Sequence, residues 1–275
     1  MSTKPIALTL AGSDSGGGAG IQADIKSMEA NGVFAASVLT AVTAQNTEAV
    51  TMSFDLPERM IAAQVDAVAE DLDIAAAKTG MLSSSTIIEV VADKIEAYGL
   101  MPLVVDPVMM SKSGFKLLED EAIDTLRRRL IPLATVVTPN THEAELLADR
   151  DVLTLDDAKA AAEAIFEMGP EAVVVKGGHL DDQAEAVDVY FDGSEMRTFV
   201  APRVDTKNTH GTGCTYASAI AANLAKGHDI TDAIERAKRY VTLAIRHALP
   251  IGHGHGPTNH FYHLDPEQAL AAVQD

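Results

Sequence analysis

Short runs of consecutive apolar residues alternate along this chain with longer stretches whose apolar positions recur every three or four residues. The first pattern suits strands buried on both faces of a sheet, the second suits helices packed against it. The apolar runs predict strands over Ile6–Ala11, Ala36–Ala44, Thr51–Phe54, Ala75–Thr79, Leu103–Asp106, Thr135–Thr138, Ala172–Lys176, Val187–Phe191 and Glu195–Val200. Between them, helices are predicted over Gly20–Asn31, Pro57–Asp71, Ser84–Tyr98, Asp120–Leu130, His142–Asp149, Leu155–Met168, Gly213–Ala225, Ile230–Ala248 and Pro266–Val273. Thr154 with Asp157 reads as a capping box, and Gly32, Gly99 and Gly169 stand where helix C-caps belong. The alternation predicts an α/β fold, a mostly parallel central sheet with helices on both faces. No linker or repeat divides the chain, so residues 1–275 read as a single domain. Ligands of such sheets collect beyond the carboxyl ends of the strands.

The segment richest in chemistry is Thr206-Lys207-Asn208-Thr209-His210-Gly211-Thr212-Gly213-Cys214-Thr215, where a Gly-Thr-Gly loop turns into a helix. N–H groups at a helix start lack intrahelical partners and carry the positive end of the dipole, which suits an anion. Cys214, the only cysteine, stands on this turn. A thiol there is expected to fall from a pKa of about 8.5 towards about 3.5–7.5. A buried cysteine beside a tight turn is the plainer alternative.

The other strand ends add to this picture. Ala11-Gly12-Ser13-Asp14-Ser15-Gly16-Gly17-Gly18-Ala19-Gly20 follows the first strand, and Asp24 stands one turn into the next helix. These glycines allow close backbone approach to a ligand. They match neither the P-loop nor the dinucleotide spacing, and a tight strand-to-helix turn explains them as well. Gln45, in Ala44-Gln45-Asn46-Thr47, offers a heterocycle edge both donor and acceptor, or is a turn residue. Met81 suits a flat ring or the core. Asp106, in Asp106-Pro107-Val108-Met109, and Glu143, in Asn140-Thr141-His142-Glu143, could hold Mg²⁺ directly or through water. Capping of a helix by Asn140 with Glu143 is the alternative. Lys176, in Lys176-Gly177-Gly178-His179, suits a phosphate as a point charge. The histidine-rich tail Gly252–His263 lacks the cysteine or carboxylate of a firm zinc pattern, and a loop closing the site fits it better. Phosphoryl transfer is the chemistry that uses all of these groups together.

Composition narrows the partners. A net charge of −19 argues against nucleic acid, and 4% aromatic residues without tryptophan argue against base-stacking platforms. No apolar run approaches a membrane span, and Ile6–Ala11 is too short for a signal peptide's core. One cysteine excludes an intramolecular disulfide framework and fits a reducing cytoplasm.

The runs Ala11–Asp24, Ala44–Thr47, Asp106–Met109, Lys176–His179, Thr206–Cys214 and Gly252–Phe261 closely resemble the hydroxymethylpyrimidine/phosphomethylpyrimidine kinases of thiamine biosynthesis. These belong to the ribokinase-like superfamily, and the likeness runs from about Ile6 to His263. It implies a three-layer α/β/α ribokinase-like fold, a homodimer, and two successive phosphorylations of a hydroxymethylpyrimidine by ATP with Mg²⁺. Carried over by position, Gln45 pairs with the pyrimidine, Gly12, Met81 and Val108 lie beside the ring, and Asp24 is near the substrate. Gly211 and Gly213 form an anion hole with Cys214, which serves as base where most ribokinase relatives carry aspartate. Asp106 and Glu143 serve Mg²⁺ and its waters. Lys176, Asn140, Thr209, His210 and Thr212 line the ATP phosphates. Pyridoxal kinase is the nearest rival, but the Ala-Gln-Asn-Thr pattern favours the pyrimidine. A pyrimidine sensor built on a decayed kinase is disfavoured by the presence of Cys214, Lys176 and the Asn140–Glu143 pair.

Overall fold

In the computed structural model, which describes residues 4–111, 114–178 and 185–264, the apolar runs pair into one nine-stranded sheet. The strands are β1 (Ile6–Asp14), β2 (Phe34–Gln45), β3 (Val50–Asp55), β4 (Ile74–Thr79), β5 (Leu103–Val105), β6 (Val136–Val137), β7 (Val173–Val175), β8 (Glu185–Phe191) and β9 (Met196–Pro202). Their order is β3-β2-β1-β4-β5-β6-β7-β8-β9. From β2 through β7 the neighbours are parallel, while β3 at one edge and β8 and β9 at the other join antiparallel.

The described helices are α1 (Gly20–Ala30), α2 (Glu58–Ala69), α3 (Ser85–Tyr98), α4 (Asp120–Thr125), α5 (Thr141–Ala148), α6 (Leu155–Phe166), α7 (Thr212–Ala225) and α8 (Ile230–Arg246). Two apolar cores flank the sheet, and successive strand residues feed them in turn. Leu8, Leu10, Val105, Val137 and Val175 pack with α2 to α6, whereas Ala7, Val104, Val136 and Val174 pack with α1, α7 and α8. Burial on both faces contributes roughly 1.5–3 kcal/mol for each valine or leucine side chain. That is why Val173–Val175 is apolar without alternation. The layers are helix, sheet, helix, as expected.

Local signals set the helix ends. Asn140 with Glu143, and Thr154 with Asp157, form capping boxes at α5 and α6. Gly99 ends α3 in the left-handed region at φ 60°. The expected helix to Leu130 is α4 continued by a wider π turn over Leu126–Leu130. There Arg129 pairs with Glu89, Asp93 and Glu96. The expected helix Pro266–Val273 and His179 lie outside the described residues. Among the described residues no helix is long and apolar enough to cross a membrane.

Strand β1 runs three residues past its expected end, with a register shift between Ala11 and Ser13. It thereby carries Gly12, Ser13 and Asp14 into the sheet, beside the end of β2. The carboxyl ends of β1, β2, β4, β5, β6 and β7 face one side of the molecule.

Candidate active site

Gly211 begins α7 with φ 78°, and a Cβ there would lie 1.8 Å from the carbonyl oxygen of Gly18. Only glycine lets the turn press against the glycine-rich loop in this way. Thr212 shapes the turn by donating its N–H and its hydroxyl to the carbonyl of Thr209. The N–H groups of Gly213 and Cys214 belong to the first helical turn, where no intrahelical acceptor exists. Gly213 faces two charged side chains: from the position of a Cβ, Lys176 Nζ is 3.4 Å away and Asp106 Oδ2 3.6 Å.

Those charges form a compact group beyond β5, β6 and β7. Lys176 Nζ donates to Asp106 Oδ1 at 2.9 Å and lies 3.9 Å from Glu143 Oε2. Burial alone would lower the Lys176 pKa, but the charges of Asp106 and Glu143 outweigh it and keep the ammonium. Glu143 is pushed up to about 7, first by burial; Lys176 opposes this and Asp106 adds to it. Glu143 Oε2 accepts from the Asn140 N–H, and Asn140 Oδ1 accepts from the Glu143 N–H. Asp106 Oδ1 also accepts from the Thr138 hydroxyl at 3.3 Å, whereas Asp106 Oδ2 is buried with no hydrogen-bond partner. A buried carboxylate oxygen without a donor is costly until a cation or water meets it. Among the described residues no group of three or more His, Cys, Asp and Glu could hold a metal by itself. The unpartnered Asp106 Oδ2, with the Glu143 carboxyl close by, fits a hard cation such as Mg²⁺, which binds through one or two carboxylates.

Beneath the turn lies a second, fully enclosed ion pair. Lys78, inside β4, donates to both carboxylate oxygens of Asp24 at 3.0 and 2.9 Å, and both side chains have 0% exposure. Asp24 also accepts from the hydroxyls of Thr9 at 2.6 Å and Ser218 at 2.7 Å. Ser218 stands four residues after Cys214, so the ion pair abuts the helix face that carries the thiol. Burial would lower the Lys78 pKa, but Asp24, the Cys214 thiolate and Asp106 outweigh it and the pKa is raised. The half-buried Cys214 thiol is pushed up to about 12, mainly by burial; Lys78 opposes this, while Asp24 and Asp106 add to it.

The remaining wall is built around Asp14. Its carboxylate accepts from the N–H groups of Gly16, Gly18 and Ala19 and from His210 Nε2 at 2.8 Å. Burial raises the Asp14 pKa, but the hydrogen bonds from His210 and Ala19 outweigh it and the net shift is downward. His210 packs so closely on the loop that a Cβ at Gly18 would be 2.4 Å from His210 Cδ2. The same His210 Nε2 is 3.4 Å from Gln45 Nε2. A Cβ at Gly12 would lie 2.9 Å from Met81 Sδ, so glycine leaves room for the thioether. Val108 is half-buried just past β5. The histidine-rich tail straps this wall: Gly254 N–H donates to Thr47 Oγ1, and His255 N–H to the Thr47 carbonyl. His210 N–H donates to the Gly256 carbonyl, and Thr258 N–H to the His210 carbonyl.

A family model described as phosphomethylpyrimidine kinase matches residues 14–259. The chain belongs to that family. It is 51% identical over 255 residues to the hydroxymethylpyrimidine/phosphomethylpyrimidine kinase of Bacillus subtilis, a match covering 93% of this chain and 94% of that one. It is 46% identical to the chloroplastic thiamine biosynthetic bifunctional enzyme of Arabidopsis thaliana, covering 98% of this chain and 53% of that one. Among solved structures, phosphomethylpyrimidine kinase from Clostridium difficile is similar with a TM-score of 0.78 and 44% identity, covering 88% of this chain and 100% of that one. Pyridoxal kinase from Staphylococcus aureus, in complex with AMP-PCP and pyridoxal, has a TM-score of 0.89 and 32% identity, with 96% of both chains covered. The fold is ribokinase-like, as the resemblance implied.

In this phosphomethylpyrimidine kinase family member several of the expected site residues have partners within the protein. The thiol of Cys214 is raised, not lowered, because burial and two carboxylates outweigh Lys78. The helix dipole alone does not decide it. Asp24, expected near the substrate, lies behind the thiol with its oxygens engaged by Lys78, Thr9 and Ser218. His210, expected along the ATP phosphates, is turned to Asp14 and Gln45. The Thr209 carbonyl and Thr212 hydroxyl are occupied within the turn, and Asn140 Oδ1 within the α5 cap. Lys78 and Asp14 are buried charges beside this turn that motif spacing did not single out. A lysine among the alanines of β4 was the available signal, since a buried ammonium requires a partner.

Proposed function

We propose that this chain transfers the γ-phosphoryl group of ATP to the hydroxymethyl group of 4-amino-5-hydroxymethyl-2-methylpyrimidine, and then a second one to the monophosphate, in thiamine biosynthesis. The observation that carries this is the approach of the α7 turn to the Asp106–Lys176 pair, at 3.4 and 3.6 Å from the Gly213 Cβ position. Oriented N–H groups and an ammonium there suit a phosphoryl group in flight. The family and its hydroxymethylpyrimidine/phosphomethylpyrimidine kinase relatives supply the substrate class.

Each residue then has a task. Lys176 and the N–H groups of Gly213 and Cys214 hold the transferred phosphoryl group. Gln45 orients the ring, with Gly12, Met81 and Val108 beside it. Asp106 and Glu143 would hold Mg²⁺, which would supply charge neutralisation for the phosphates. The alcohol of the first step needs a base, which Cys214 supplies. At rest its thiol is neutral, since its pKa is about 12. Lys78, enclosed beneath the turn, is the charge that favours the thiolate against burial. The phosphate nucleophile of the second step has a pKa of about 6 and is already ionised near neutrality. It needs charge neutralisation instead. The proposal includes a cytoplasmic location and a homodimer, for which the exposed apolar face of the β2–β3 hairpin is the support.

Single-turnover measurements of both steps test the assignment. Cys214→Ser is expected to slow the first phosphorylation about 10²–10⁴-fold and the second far less. Equal losses would remove the base and leave a shared structural role. A parallel steady-state comparison uses hydroxymethylpyrimidine, its monophosphate, pyridoxal and pyridoxine. Pyridoxal is the second reading, favoured by the similarity to the Staphylococcus aureus enzyme. Turnover confined to pyridoxal and pyridoxine would overturn the pyrimidine reading.

A further inference from the structure

We propose that His210, seated on Asp14, and Thr43 together fix the orientation of the Gln45 amide, and so select a ring bearing an acceptor nitrogen beside an exocyclic amino group. This rests on the kinase reading above and concerns how its acceptor site discriminates.

Asp14 already accepts three backbone N–H groups, and its lowered pKa makes it an acceptor only. The contact with His210 Nε2 at 2.8 Å therefore places a proton on that nitrogen, whether the ring is neutral or charged. That proton points at Asp14, and the Gln45 amide atom 3.4 Å from the same nitrogen can share it weakly as an oxygen, whereas an amide N–H placed there would find no acceptor.

Thr43 imposes the same answer from the other end. Its hydroxyl has one proton and two neighbours, the Ser13 carbonyl at 2.9 Å and the Gln45 amide at 3.0 Å. The Ser13 carbonyl can only accept, so it takes the hydroxyl proton. Thr43 Oγ1 is then an acceptor for the Gln45 NH₂ group. A half-turn of the amide thus gives Thr43 Oγ1 a donor and lets the amide oxygen share the Nε2 proton with Asp14, whereas the opposite orientation sets donor against donor at His210.

With the amide held this way, one N–H of Gln45 and a lone pair of its oxygen remain side by side. This is the pairing by which glutamine reads the adenine edge, an acceptor nitrogen next to an amino group. A 4-aminopyrimidine presents that edge. Pyridoxal has no amino group on its ring and meets only half of the pattern. His210 and Thr43 act through Gln45 and are positioning residues.

The test is the ratio of kcat/KM for hydroxymethylpyrimidine to that for pyridoxal, at saturating ATP, in the wild type, His210→Phe, His210→Gln and Thr43→Val. His210→Phe keeps a ring and loses the Nε2 proton; it is expected to lower the ratio about tenfold, through a raised KM for the pyrimidine, with the KM for ATP unchanged. His210→Gln places an amide N–H near the same point and is expected to bring the ratio back to within about threefold. An unchanged ratio in His210→Phe, with both substrates losing equally, would overturn the proposal. Should His210→Phe not fold, Thr43→Val carries the same test, and an unchanged ratio there overturns it. A wild type that does not turn over hydroxymethylpyrimidine would defeat the kinase reading itself, which is a separate result.

Discussion

At the scale of single residues, the buried charges decide the most. Lys78 and Asp24 are fully enclosed, so each is tolerated only because of the other. Removing one partner of such a pair costs about 3–5 kcal/mol, whereas replacing both by apolar residues is often neutral. Lys78→Met is therefore expected to destabilise by about that amount in urea unfolding, and Lys78→Met with Asp24→Leu to recover most of it. Equal destabilisation in both variants would show that packing, not charge, is at stake. Glu143 offers a pH test. Its pKa is raised from 4.5 to about 7, so between these values the folded protein keeps a proton that the unfolded chain releases. Stability contributed by this group is then present below about pH 4.5 and is lost as pH rises through about 7. In metal-free buffer, Glu143→Gln should flatten the decline in Tm across that window, because the amide can still accept from the Asn140 N–H. Parallel Tm profiles would contradict the assignment.

At the scale of elements, the turn that begins α7 is shaped by what it touches. Gly211 has φ 78° and a Cβ would meet the Gly18 carbonyl at 1.8 Å; Gly32 has φ 83° with nothing within 4 Å. Both substitutions to alanine strain the backbone by about 1 kcal/mol. Only Gly211→Ala also pushes the anion turn off the glycine-rich loop. Displacing reacting groups by about 1 Å costs on the order of 100-fold, so Gly211→Ala should lose about that much in kcat/KM while Gly32→Ala keeps its activity. Similar activities in the two variants would detach the turn from catalysis. The turn's composition, its lone cysteine and the following small residues were legible from spacing alone, because helix starts and tight turns are local. The strap was legible as a histidine-rich loop closing the site, without the segment it closes on. Its purpose appears when Gly254 is seen to pass 2.1 Å from the Thr47 carbonyl at the Cβ position, a contact between segments some two hundred residues apart.

At the scale of the whole molecule, the exposed edge of the sheet is what the proposed dimer has to cover. Val42 stands opposite Phe54, and Ala44 opposite Met52, on the β2–β3 hairpin. Met52 is 65% and Phe54 67% exposed, unusual for residues of their size on an edge strand. Met52→Lys with Phe54→Lys should give a monomer in sedimentation experiments without loss of thermal stability. A wild type that sediments as a monomer would remove the dimer. The net charge of −19 means that two copies repel, so association should strengthen from low to physiological salt.

The alternating apolar runs determined the strands and helices, because burial of a strand or a helix face depends on side chains a few residues apart. The motifs just past the strands, not the apolar runs, carried the resemblance to the family. The ionisation of Cys214, the enclosure of Asp24 and the facing of His210 were decided only by the tertiary structure. Lys78 meets Asp24 across 54 residues of chain, and His210 meets Asp14 across 196. Desolvation and charge act through space, so no spacing along the chain could report them.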